Sequence, residues 1–173
     1  MTFERNIPMA RKKSYSNTNV PVSRSRAAID ELLKKWGVSG IQWEDNFEDG
    51  FSQIRFRWKV PDRSYESVAR FRIDIELESK LEELAIDKRS GRFSEKKYQR
   101  LKNERGRREH RVLYNLLKNM LQAIEDKIIP ADAIFLPWME DSEGNTVYEK
   151  VAPAIASFSN QSFQKAISSK ENP

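Results

Sequence analysis

Arginine and lysine on two alternating runs are the residues of this chain best placed to do chemistry, and the chemistry they suit is the holding of anions. The runs are Gln53 to Val60 (QIRFRWKV) and Ala69 to Leu77 (ARFRIDIEL). Period-2 alternation predicts half-buried strands. Paired as a hairpin with the apolar residues on one side, Trp58 faces Phe71, Phe56 faces Ile73 and Ile54 faces Ile75. That register sets Arg55 against Asp74, but also Arg57 against Arg72 and Lys59 against Arg70. Like charges directly opposite one another destabilise a sheet, so an anionic partner would account for them. Arg55, Arg57, Lys59, Arg70 and Arg72 would lie on strands about 4.8 Å apart, about 6.7 Å apart along each strand. That is close enough to phosphate spacing for several contacts at once. The alternative is that Glu82, Glu83 or Glu95 from a helix covers this face and neutralises it.

A second basic stretch, Lys88 to Arg111, carries Arg105, Arg107, Arg108 and Arg111 among its cations and only Glu95, Glu104 and Glu109 as acids. A helix of that charge can lie along a nucleic-acid backbone without reading bases. It could instead be an exposed helix that forms a homodimer through Tyr98 and Leu101. Sequence specificity has no support in either stretch.

Catalytic patterns are weaker. Pro61-Asp62 followed by Glu78-Ser79-Lys80 matches the spacing of the PD-(D/E)xK nuclease signature, whose acids must meet on one metal. In the hairpin above, Asp62 lies in the connecting loop and Glu78 is eleven residues beyond its partner, roughly 36 Å along a strand. The two readings exclude each other, and the apolar pairing favours the hairpin. The one histidine, His110, sits between Glu109 and Arg111 and reads as a surface residue. No Gly-rich phosphate loop, nucleophile–His–acid order or metal-spaced cluster is present, so no enzyme activity and no cofactor are expected.

The elements that would position these residues follow from periodicity. Residues 1–22 read as a flexible basic arm with Arg11, Lys12 and Lys13. A helix capped by Ser23 or Ser25 presents Ile29, Leu32, Leu33 and Trp36 at i, i+3, i+4, i+7 and stops at Gly37. A short strand spans Ile41 to Trp43, and an acidic turn ends at Asp49-Gly50. After the two alternating strands, a helix carries Leu77, Leu81, Leu84 and Ala85. A long helix opens with Ser94 as cap and Phe93 stapled onto Tyr98 and extends to Ile129 before Pro130. Its stripe fails between Lys102 and Arg111, where Gly106 weakens it, so it either projects or breaks there. A last hairpin is expected from Ile134–Met139 through Ser142–Asn145 to Thr146–Tyr148, with Pro137 confining its strand to an edge. Residues 152–173 form a loose polar tail, with a helical turn at Phe163 to Ile167. Trp36, Trp43, Trp58 and Trp138 fall on apolar stripes, and Trp138 is the one placed to anchor a partner.

This order resembles a family of small uncharacterised proteins encoded by bacteriophages and integrated prophages. The carrying segments are VPVSRSRAAIDELLKKWGVSGIQW, FSQIRFRW, RVLYNLLKNMLQAIEDKI and AIFLPWMEDSEGNTVYE, within Val20 to Val151. The chain departs from that pattern by a longer charged insertion around Lys88 to Arg111 and a longer last turn. The resemblance implies origin in a phage or mobile element and carries no activity.

The whole is expected to be α+β: an N-terminal helix, a three-stranded antiparallel sheet, long C-terminal helices and a C-terminal hairpin, in one domain over 23–151. Helix, three antiparallel strands, helix is also the order of double-stranded-RNA-binding domains. At 173 residues, 33% charged and with a net charge of +5, the chain can bury an ordinary core and favours polyanions. It has no cysteine, no signal peptide and no membrane-spanning run, which predicts a cytoplasmic protein with no membrane partner. The expected function is a non-enzymatic nucleic-acid-binding accessory protein, on DNA or RNA, acting mainly through phosphate contacts. The alternative is a protein–protein interaction module with an acidic host or phage partner. A metal-dependent nuclease is a distant third.

Overall fold

A computed structural model describes residues 15, 18–46, 48, 50–59, 66–74, 78–87 and 90–155. The expected residues 1–14 of the arm, the loop around Asp62, Ile75 and Leu77, and the tail beyond residue 155 lie outside them.

The architecture is α+β. Helix α1 (Val22–Trp36) leads into strands β1 (Gly40–Asn46), β2 (Phe51–Lys59) and β3 (Glu66–Asp74), followed by α2 (Glu78–Ala85), α3 (Glu95–Glu125), the short α4 (Ala131–Phe135) and a 3-10 turn, Leu136–Trp138. The sheet is antiparallel in the order β1-β2-β3. Ile54, Phe56 and Trp58 of β2 and Ala69, Phe71 and Ile73 of β3 share its apolar face. Ile29 and Leu33 of α1 and Leu113, Leu117 and Leu121 of α3 close over that face. Phe135 is fully buried among Trp36, Phe56, Trp58 and Phe71, at ring separations of 5.3–6.2 Å.

Helix boundaries follow local chemistry. Gly37 takes a left-handed φ of 96° and donates to the carbonyls of Leu33 and Lys34, while Val38 also donates to Leu33. This is the Schellman stop expected of a glycine there. The start of α1 differs: Pro21 is its N-cap, and Ser25 is buried within the helix with its hydroxyl unpartnered. Ser94 caps α3 through the Lys97 amide, and Phe93 meets Tyr98 at 5.7 Å. Tyr98 is buried with Ala85, and Leu101 packs against them, so these two residues hold α2 onto α3 and are not a free dimer face.

Helix α3 neither breaks at Gly106 nor projects there. A Cβ at Gly106 would lie 3.5 Å from Val22 Cγ2, because the start of α1 crosses α3 at that point. The apolar stripe lapses there because the contact is with backbone and guanidinium groups: Arg107 Nε donates to the Thr18 carbonyl at 3.3 Å. The helix ends at Glu125, earlier than Pro130 requires, with Lys127 at φ 57° and Ile128 donating to the Ala123 carbonyl.

The C-terminal hairpin is reduced to a single bridge, Glu140 with Thr146, backed by a bond from Val147 N–H to the Met139 carbonyl. Ile134 to Trp138 is helical, and the i, i+3 spacing of Phe135 and Trp138 brings both rings to the core. Residues 147–155 are helical as well. Thr146 and Glu149 form a reciprocal capping box, each side chain accepting the other's amide, at 3.2 and 2.7 Å. No helix among the described residues is long and apolar enough to cross a membrane.

Candidate nucleic-acid interface

The outer face of the sheet gathers all five expected basic residues, but in a different register. Ile54, not Trp58, faces Phe71, which slides β2 by four residues against β3. An even slide keeps every apolar side chain on the core face, so the faces stand while the cross-strand pairs change. Arg57 faces Val68, Lys59 faces Glu66 and Arg72 faces Gln53; the one like-charge pair is Arg55 with Arg70.

That pair is bridged from within. Glu140 Oε1 accepts from Arg55 Nε at 3.1 Å and lies 3.3 Å from Arg70 Nε, with its own side chain only 8% exposed. Glu44 of β1, which faces Gln53, accepts from Gln53 at 2.6 Å and diagonally from Arg55 Nη1 at 2.7 Å. Those two hydrogen bonds, Gln53 first and Arg55 second, hold the Glu44 carboxyl below the usual range. Glu149, already in the capping box, also pairs with Arg70. Burial works against ionisation of Glu149, but the hydrogen bonds with Thr146 and the charge and hydrogen bond of Arg70 together lower its pKa. The acids that neutralise this face are thus Glu44, Glu140 and Glu149, and not Glu82, Glu83 or Glu95.

The rim of the face stays basic. Arg57 is 58% exposed, lies across Gly40 and reaches Glu66 only at 3.9 Å. Lys59 is exposed, as is Arg72, whose guanidinium stacks 4.1 Å over the Phe51 ring.

On α3 the cations are arranged along one helix. Arg100 pairs with Glu104 one turn on at 3.7 Å, and Arg108 pairs with Glu109. Arg111 stacks on Tyr114 at 4.7 Å, and Lys97 Nζ donates to the Ile86 carbonyl at 3.0 Å. Arg105, Arg107, Arg108 and Arg111 are half-buried, whereas Lys96 and Arg100 are exposed.

One cluster was not foreseen, and it overturns the surface placement of His110. His110 is 3% exposed and stacked on Trp43 at 5.9 Å. Arg26 Nε donates to its Nε2 at 3.1 Å, so the ring proton sits on Nδ1 and points at the Gly106 carbonyl, 2.8 Å away. Arg26 also forks onto Asp45, donates to Ser52 at 2.8 Å and lies 4.6 Å over Trp43, whose indole N–H donates to Asp30. The Arg26 hydrogen bond is the main reason that the Asp45 carboxyl is lowered. Burial is the main reason that His110 is pushed below the ordinary imidazole value, with the Arg26 charge adding to it. The cluster ties α1, β1, β2 and α3 together. The signal for it was the helical spacing Gly106–His110, which sets the ring one turn from a glycine carbonyl.

Of the nuclease string, Asp62 lies outside the described residues, and Glu78 to Lys80 open α2. Among the described residues no group of three or more His, Asp or Glu is placed to hold a metal ion. No protein-family model, curated protein or solved structure matches the chain.

Proposed function

We propose that this protein is a non-enzymatic nucleic-acid-binding protein that contacts mainly phosphate, through the N-terminal half of α3 and the basic rim of the sheet. The reading rests chiefly on the charge of α3 from residue 95 to residue 111, eight Lys or Arg against three Glu on one unbroken helix. That span is about 25 Å long at 1.5 Å per residue, enough to run beside several phosphates. The carboxylates that neutralise the centre of the sheet are engaged there, which moves the weight of the proposal from Arg55 and Arg70 to α3 and to Arg57, Lys59 and Arg72. The likeness to phage-encoded proteins adds only a setting, an accessory role in a phage or mobile element.

The test is the salt dependence of binding to labelled oligonucleotides. Each phosphate neutralised contributes about −0.9 to the slope of log affinity against log salt on duplex DNA, and about −0.7 on a single strand. Replacing Lys96 and Arg100 by alanine should flatten that slope by about one to two units. An unchanged slope, or no binding at low salt, would remove the proposal. The interaction-module alternative is favoured by one observation, the exposed stripe Tyr148, Val151 and Ile155 on the last helical stretch. It requires weak, non-saturable oligonucleotide binding.

A further inference from the structure

Strand β1 is an edge of the sheet. Its one pairing is with β2, and among the described residues nothing pairs with its other side, whereas the outer edge of β3 meets Met139 and Glu140. The strand is divided in character: Gly40 to Trp43 carry no charge, and Glu44 and Asp45 follow. A positive charge reaches the uncharged half from the next strand. Arg57, opposite Gly40, lays its guanidinium where a Cβ of residue 40 would stand, 2.9 Å from Nη2, so the bare glycine lets it lie across β1. Among the described residues its ion pair is with Glu66, at 3.9 Å. At the other end of β1, both described hydrogen bonds of Glu44 fall on one oxygen, Oε2. A cavity lies on each side of the sheet along the uncharged half. One, about 360 Å³, covers the outer face by Gly40, Gln42 and Arg57; the other, about 280 Å³, lies between α1 and β1, by Val38, Ile41 and Trp43.

A strand added to this edge sends successive side chains to opposite faces, one toward each cavity. An edge with a cation at one end and acids at the other is complementary to itself when run antiparallel. We propose that β1 pairs with β1 of a second copy about a two-fold axis at Gln42, continuing the sheet across both. Gln42 then faces itself, and Ile41 faces the partner's Trp43 on the core side. On the outer side Gly40 faces the partner's Glu44, within reach of Arg57. The neighbouring registers are poorer. Moving the axis to Trp43 sets Ile41 against the partner's Asp45, and moving it to Ile41 carries the partner's Glu44 past Gly40 and Arg57. A seam the length of β1, 7 residues, is small, so the dimer is weak and depends on concentration. This inference does not rest on the nucleic-acid reading, which gives up Arg57 from its rim and keeps α3.

Sedimentation equilibrium of the full chain over a range of concentrations reads the association, and a chain without cysteine lets a single introduced one report the register. Directly opposed residues of antiparallel strands have Cα atoms about 4.5–5.5 Å apart, within disulfide range. With oxidised glutathione, Gln42→Cys should therefore cross-link to a covalent dimer, about tenfold or more faster than Glu48→Cys, whose two copies lie at opposite ends of the seam. Arg57→Glu, at an exposed position, should weaken the association about tenfold or more, because two attractive contacts become repulsive. Mixing that variant with Glu44→Arg should restore it, since each then supplies the charge that the other lacks. Should Glu44→Arg fail to fold through loss of its contact with Arg55, the cross-linking and Arg57→Glu decide the matter. A chain monomeric at every concentration overturns the inference. So does a dimer that keeps its affinity in Arg57→Glu and cross-links no faster at position 42 than at 48, which would assign self-association to another surface.

Discussion

The arginines of the sheet and those of α3 both come from stretches of sequence with an excess of cations, yet they end in opposite situations. Arg55 and Arg70 are set facing each other and bound by carboxylates from far along the chain; Glu140 is 85 residues from Arg55 and Glu149 is 79 from Arg70. On α3 two ion pairs are local, Arg100 with Glu104 and Arg108 with Glu109, and the cations outnumber the acids along the helix from residue 95 to residue 111. Charge counted along the sequence therefore says little about charge on the surface. What matters is which distant segment the fold brings over it, and whether that segment carries acids.

The sharpest way to break this contrast is to remove Glu140. Glu140→Ala leaves two partly buried guanidiniums opposed without their common partner, and should cost about 3 kcal/mol in urea unfolding. A loss under about 0.5 kcal/mol, the scale of ordinary surface changes, would mean that the bridge is no more than a surface contact.

A smaller effect should separate the other anchor, His110. Its pKa is lowered on folding, so the unfolded chain takes up the proton first as pH falls. The stability contributed by the neutral ring is complete above about pH 6.5 and is lost as pH falls through the folded value. Arg26 faces the ring with a donor, while Asp45 and Glu109 offer the opposing charge. Denaturation midpoints should therefore decline from pH 7 toward pH 5, and in His110→Gln that part of the profile should flatten. An identical profile in the variant would mean that other groups set it.

Local changes on α3 should act locally. Gly106→Ala should stabilise by about 0.5–1 kcal/mol, since the new methyl meets only Val22 at an ordinary contact distance. Destabilisation there would show that α1 requires the bare backbone. Smallest of all, the Lys96→Ala/Arg100→Ala pair should move stability by less than about 0.5 kcal/mol while still changing the salt slope, which would keep binding and folding separable on α3.

How far the sequence disclosed these features depended on the range of the interactions. The strands and their inward faces follow from alternation of Ile54, Phe56 and Trp58 and of Phe71 and Ile73. The pairing does not, because any even slide preserves those faces, and only the length of the β2–β3 connection and the neighbouring segment distinguish one slide from another. The stop at Gly37 and the cap at Ser94 were legible because each is settled within a few residues. The last hairpin is present only as the Glu140–Thr146 bridge, shorter than expected because a short apolar run such as Ile134–Met139 has no decisive period. Thr146 and Glu149 do carry the spacing of a capping box, which marks a helix where a strand was expected. Glu140 was out of reach in principle: nothing near it in sequence says that its carboxylate lies over Arg55 and Arg70.

The segment that delivers Glu140 has a further consequence, for solubility. Its backbone pairs with the outer edge of β3, through the Ala69–Met139 bridge and a 2.9 Å bond from Glu140 N–H to the Val68 carbonyl. An uncovered edge of that kind is a template on which another chain can add a strand, the first step toward aggregates. Met139 and Glu140 occupy the template themselves, and Glu140 sets a charge within it. A chain ending before Leu136 would lose this guard together with the counter-charge of Arg55 and Arg70, so self-association would accompany instability in any such truncation.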